Sequence, residues 1–200
     1  MTPTVTPVTY GLDASMARFS LARYQRMIEL GILTSEDKVE LLENYVVLKM
    51  PRNPPHDGTI QLVEETLAAK VPQAWRLRTQ LTVVLSDSQP EPDFAIVRGN
   101  ARTYMTRHPD PADVGLIVEV ANSSLLRDQR DKTRIYARGG IICYWIVNLV
   151  DRRIEVYSQP SGPATVPAYS SFQIYQPGDA VPLVLDRATV GTVLVDDLLP

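Results

Sequence analysis

Residues 116–147 read LIVEVANSSLLRDQRDKTRIYARGGIICYWIV, and the fold turns on how this stretch is divided. Leu116–Val120 is an apolar run suited to a buried strand, and Ile142–Leu149 is a second. Between them Ser123 or Ser124 can cap a helix that reaches Arg138, with Gly139-Gly140 as its stop. Strand, helix and strand at this length form a βαβ unit, with parallel strands covered on both faces and a right-handed crossover.

Within the first strand Glu119 is out of place, because an ionised carboxylate in an apolar strand is costly unless paired or bound to a metal. A helical wheel at about 100° per residue puts Asp128, Lys132 and Tyr136 on the side of Leu125, facing the sheet. Arg127, Arg130, Arg134 and Arg138 fall opposite, as an outward, solvated stripe. Lys132 therefore needs an acceptor and Glu119 is available. That pair is either a structural ion pair or part of a reactive centre.

Upstream, Ser20 caps a helix to about Leu30, in which Leu21, Tyr24, Met27 and Ile28 share a face and Gly31 is the stop. Val39–Leu42 and Tyr45–Met50 are two strands joined at Glu43-Asn44, and the first carries Glu40. Ile60, Val63 and Leu67 recur at helical spacing from His56 to Ala69. Trp75–Leu85 is extended with a break near Gln80, and Asp93 opens a short strand, Phe94–Val97. Arg153–Tyr157 and Phe172–Tyr175 are later strands, read as antiparallel. Asp93 and Glu119 can then converge at one end of neighbouring strands. Two carboxylates without a cysteine cluster are hard oxygen ligands, suited to Mg²⁺ or Mn²⁺ rather than zinc.

The chain has 200 residues, of which 44% are apolar, enough for one core. The expected organisation is a loose segment over 1–17 and a single domain over 18–200. No apolar run approaches the ~20 residues of a bilayer span, and MTPTVTPVTY lacks the features of a signal peptide, so no membrane partner and a cytoplasmic location are expected. The lone Cys143 excludes an internal disulfide and reads as core. A net charge of −3 gives no overall basic footprint for nucleic acid, although a locally basic surface stays compatible with it.

The order ELLENYVVLKMP (40–51), His56, EPDFAIV (91–97) and the quoted stretch resembles the bacterial "putative restriction endonuclease" family, formerly a domain of unknown function. That family is a branch of the PD-(D/E)XK phosphodiesterase superfamily. The likeness spans roughly residues 18–185 and rests on Pro92-Asp93, Glu119-Val120, Asp128, Lys132, Tyr136 and Ala137 to Gly140.

The resemblance implies an α/β fold of mixed α+β type, a restriction-endonuclease-like core with a central mixed β-sheet flanked by helices. It also implies a metal-dependent endonuclease that hydrolyses DNA phosphodiester bonds. Asp93 and Glu119 hold Mg²⁺ or Mn²⁺ in this reading, with the Val120 carbonyl as a further ligand and Glu40 contributing directly or through water. Lys132 serves the position usually filled two residues after the second acid, where this chain has Ala121. Asp128 and Tyr136 position Lys132, and His56 matches a recurrent supporting position, though a histidine near a helix start is more often a cap or loop contact. Departures from the pattern are Glu43-Asn44 for an Asp-Gly turn, Ile142-Cys143 for Pro-Glu, and Asn148 for aspartate. DNA is the implied partner, and a homodimer with a twofold axis would suit paired cuts. Two alternatives stay open: a nuclease-fold binding or assembly module without catalysis, and a hydrolase of another phosphoester.

Overall fold

Six strands form one sheet in the order β3-β4-β5-β6-β7-β8 in the computed structural model, which describes residues 16–200. The loose start expected over 1–17 lies, as far as residue 15, outside the described residues. The strands are β3 (Trp75–Thr79), β4 (Phe94–Arg98), β5 (Val114–Ala121), β6 (Cys143–Asn148), β7 (Arg153–Pro160) and β8 (Tyr169–Tyr175). Only β5 and β6 run parallel; their neighbours are antiparallel. The sheet is thus mixed, as the sequence reading requires, and the βαβ unit forms its centre.

Alternation along β5 explains how both faces are filled. Leu116, Val118 and Val120 face a core shared with Trp145, with helix α2 (Pro54–Ala68) through Ile60, Val63 and Leu67, and with a separate hairpin. That hairpin is β9 (Ala180–Leu185) paired with β10 (Ala188–Leu194). It contributes Val181, Leu183 and Val193 to this core. The β9–β10 hairpin therefore covers a sheet face.

Ile117 and Ala121 face the other core with Tyr144, Ile146, Ile135, Tyr136 and Leu42. Leu42 comes from the hairpin of β1 (Val39–Leu42) and β2 (Tyr45–Leu48). Helix α1 (Leu21–Glu29) is capped by Ser20, which accepts from the Arg23 N–H. Of its expected apolar face only Tyr24 is buried, and Ile28 is 42% exposed.

The connection after β5 departs from the expected continuous α-helix. It runs as α3 (Leu125–Arg127), a π-helical segment (Asp128–Lys132) and α4 (Thr133–Gly139), ended by Gly140 at φ 78°. Ser124 makes no side-chain cap to the helix N–H groups. Instead the wide turn is held at the Asp128 carbonyl, which accepts from Thr133 Oγ1 at 2.8 Å and from the Tyr144 hydroxyl at 3.2 Å. Such single-turn bulges recur at functional positions.

Gly115 illustrates how closely β5 is packed. A Cβ there would lie 2.6 Å from the Trp75 ring and 2.9 Å from Leu185. Gly115→Ala should therefore destabilise the protein by about 1–3 kcal/mol through overpacking. An unchanged urea midpoint would show that the Trp75 ring can step aside.

Candidate active site

The sequence places Asp93 immediately before β4 and Glu119 near the end of β5, and the register Phe94↔Val118 sets the two side by side. The Asp93 N–H donates to Glu119 Oε2 at 3.3 Å, and the Val120 N–H donates to Asp93 Oδ2 at 2.9 Å. The contact found for Val120 is thus through its N–H. Glu119 projects, like Ile117 and Ala121, toward the layer containing α4. There Lys132 Nζ donates to its Oε1 at 2.7 Å and the Tyr136 hydroxyl donates to the same oxygen at 2.7 Å.

One hollow is lined by Glu40 from β1, Asp93 just ahead of β4, Glu119 from β5, and Asp128 and Lys132 from the π segment, with Lys49, Arg52, Glu91 and Arg127 completing its charged lining. Glu40, Glu119, Asp128 and Lys132 are all buried, at 2–7% exposure. Glu40 Oε2 accepts from the Glu91 N–H at 3.3 Å. His56, on the first turn of α2, brings Nε2 to 3.3 Å from Asp93 Oδ2. The cap of that helix is Asn53, which accepts from the His56 N–H, so the histidine ring is free of the capping role that sequence reading favoured. The candidate site residues named from the sequence meet here, Tyr136 through its bond to Glu119. Among the described residues no three acid, histidine or cysteine side chains are gathered at metal-binding separations.

The electrostatics follow from four acids sharing one buried ammonium. Burial pushes Glu119 up to about 8, with Lys132 opposing and the charges of Asp93 and Asp128 adding to the rise. Burial likewise lifts Asp128 to about 6, again against Lys132. Asp128 Oδ2 has no hydrogen-bond partner. Burial would raise Asp93 too, but the hydrogen bond and charge of His56, with the Val120 N–H and Lys132, hold it below the usual carboxylate range. The Asp93 hydrogen bond raises His56, against burial. Lys132 is raised because Glu119, Glu40 and Asp128 together outweigh its burial.

All of these shifts except that of Asp93 have a common sign. Glu119 and Asp128 bind protons more tightly folded than unfolded, so stability falls as pH rises through about 6 and about 8. The contribution of His56 is complete below its ordinary value and is also lost as pH rises. In EDTA the thermal midpoint should drop by roughly 5 °C between about pH 5.5 and about pH 8.5. Glu119→Gln should flatten the upper half of that fall; an unchanged profile would place the titration elsewhere.

The arginine stripe was misjudged from the wheel. Arg134 donates to Glu43 from Nε at 2.9 Å and from a terminal nitrogen at 2.6 Å. Arg138 pairs with Glu43 at 2.9 Å and with Asp87 at 3.0 Å, and Arg127 donates to the Leu48 carbonyl. Three of the four arginines therefore clamp the β1–β2 hairpin onto the helix, and Arg130 alone is exposed. Glu43 and Asn44 adopt φ 51° and φ 66°, the pair of positive values a two-residue hairpin turn needs. Asn44 tolerates this readily; Glu43 is held there by its two arginines and by Ser88 Oγ, which accepts from its N–H at 2.9 Å.

Other lining residues escaped sequence reading. Arg52, Asn53 and Asn122 border the hollow, and Gln80 donates to Asp93 Oδ1 at 3.4 Å. Only Asn53, in the run Asn-Pro-Pro, carried a local signal, that of a helix cap. Asn148, in place of the family's aspartate, donates to Glu155 at 2.8 Å and to Asp151 at 3.0 Å, and Cys143 is buried with its thiol pushed up to about 12 by burial. Among the described residues no helix is long and apolar enough to cross a membrane.

Comparison with known proteins agrees with this geometry. A solved structure from Anabaena variabilis ATCC 29413, described as a "putative nuclease belonging to DUF820", superposes with a TM-score of 0.65 at 15% identity. The match covers 90% of this chain and 97% of the other, so the two share a fold. No curated protein matches. The model of the family Uma2, "Putative restriction endonuclease", matches residues 21–189. That span holds β1 through β9, helices α1 to α4 and the acid-lined hollow, and the chain belongs to this family of nucleases.

Proposed function

We propose that the chain is a metal-dependent endonuclease that hydrolyses phosphodiester bonds in DNA, with the acid-lined hollow as its active site. The observation that carries this reading is the unpartnered, buried Asp128 Oδ2 beside three further carboxylates and one lysine. A set of oxygen donors with excess negative charge fits Mg²⁺ or Mn²⁺. Asp93 and Glu119 would hold the ion, with Glu40 and the Val120 carbonyl as further oxygen donors. When bound, such an ion acidifies water and offsets charge on phosphate.

The chain's own residues do the rest. Lys132 Nζ, fixed by Glu119, provides a buried cation for the phosphate or orients the attacking water. Tyr136 keeps Glu119 turned toward that lysine, and Asp128 adds to the field that keeps the lysine charged. His56 holds Asp93 ionised. Arg52 and Arg127, at the border of the hollow, supply positive charge for neighbouring phosphates.

The test is incubation with supercoiled plasmid and with single-stranded DNA in EDTA, Mg²⁺ or Mn²⁺, beside Glu119→Gln. Nicking that needs the ion and disappears in the variant supports the reading. An intact plasmid with either ion overturns it and favours the assembly-module alternative.

A further inference from the structure

A second hollow, of about 320 Å³, lies between the β1–β2 hairpin and the helical connection. Its apolar walls are Leu42, Val47, Leu126 and Ile135, and Glu43, Asp131 and Arg134 supply its charged lining. It shares Met50, Ser123, Ser124 and Arg127 with the acid-lined hollow. The two hollows are therefore adjoining chambers with an arginine at the seam. Arg127 is tied there by its 3.1 Å bond to the Leu48 carbonyl, while Arg52, on the acid-lined side, is exposed and makes no ion pair among the described residues.

We propose that the apolar chamber takes one unstacked nucleobase of the strand whose phosphate lies at the acid-lined hollow, so that single-stranded or locally opened nucleic acid is the preferred substrate. This rests on the nuclease reading above. A nucleotide is a planar apolar heterocycle joined to an anion. The chambers offer the matching sequence: apolar walls, then Arg127, then the charged hollow. Glu43, Asp131 and Arg134 close the apolar chamber with acceptors and donors, the groups that read a base edge. Their mutual ion pairs fix them in place, so that edge is preformed. Met50 and Leu126, which line the chamber, are 41% and 56% exposed, an apolar rim beside a charged site. A stacked base pair cannot place one base in such a recess without opening.

The test uses the full chain with Ca²⁺ in place of Mg²⁺ or Mn²⁺, which supplies the cation the acid-lined hollow lacks, and a short oligonucleotide carrying 2-aminopurine, single-stranded or annealed, with anisotropy for binding and 2-aminopurine emission for the base's surroundings. The parent should bind the single strand at least about fivefold more tightly than the duplex, as expected for burying the apolar face of one base against aliphatic side chains. Emission should change at one labelled position more than at the others. Leu126→Trp, at an exposed position, should fill the recess and remove that preference while duplex binding stays the same. Equal affinity for both forms, emission indifferent to position, or an unaltered preference in Leu126→Trp would each overturn the proposal, as would failure of both forms to bind. A protein that shelters the base but never nicks plasmid retains this chamber and loses the catalytic reading. One that nicks plasmid yet ignores strandedness does the reverse.

Discussion

Lys132→Met should lower plasmid cleavage by about 100- to 1,000-fold while leaving a folded protein whose stability has become strongly pH-dependent. Methionine nearly matches the lysine stem, so packing between the π segment and β5 is kept. What goes is the single ammonium set among Glu119, Asp128 and Glu40. Glu119 would keep only the Tyr136 hydroxyl as a donor on Oε1. At about pH 5 it takes a proton and sits neutral in its strand, at little cost. At about pH 8.5 it must stay protonated against the solvent or remain ionised and unpaired. Breaking a buried pair in that way costs about 3–5 kcal/mol. Urea unfolding at the two pH values checks this. Equal loss at both would mean that the lysine acts through packing alone, and cleavage within tenfold of the parent would remove it from the chemistry.

The second large effect concerns divalent cations. With four buried or nearly buried carboxylates around one lysine, the site is short of positive charge. Mg²⁺ or Mn²⁺ at about a hundred times its dissociation constant would stabilise the folded state by about 2.7 kcal/mol. For a chain of this size the thermal midpoint should then rise by roughly 5–10 °C. Asp93→Asn should remove most of that rise, because it leaves one fewer anionic ligand at the head of β4. It should also lower the affinity of His56 for its proton, since the Asp93 hydrogen bond is the main cause of that rise. A metal-induced shift that is the same in parent and variant would place the ion elsewhere.

Much of this arrangement was legible in the sequence because its signals are local. The apolar runs flanking the helix defined the βαβ unit, and an acid inside one of them, with a lysine on the inward side of the helix, pointed to a pair that the structure joins at 2.7 Å. The turn at Glu43-Asn44 was equally readable from its length. The roles of the arginines were not. A wheel distinguishes inward from outward, but it cannot show that a hairpin some ninety residues earlier lies against the outward side and contributes Glu43. The β9–β10 hairpin was missed for a related reason: Val181, Leu183 and Leu185 alternate as a strand should, yet nothing in that alternation says which surface they cover. The π turn left no periodic trace, since five residues are too few to shift an apolar pattern fitted at about 100° per residue.

That turn changes what kinds of sequence variation the protein can tolerate. Surface connections normally accept insertions and deletions of single residues. Within α4, losing one residue would rotate everything beyond it by about 100°, and Tyr136 would leave Glu119. Between Asp128 and Lys132 the same loss would tighten the wide turn into an ordinary one and be absorbed there, with Tyr136 still facing Glu119 and Arg134 and Arg138 still facing Glu43. The π segment is therefore the one part of the connection where the interval from Glu119 to Tyr136 can shorten by a residue and keep the helix beyond it in register.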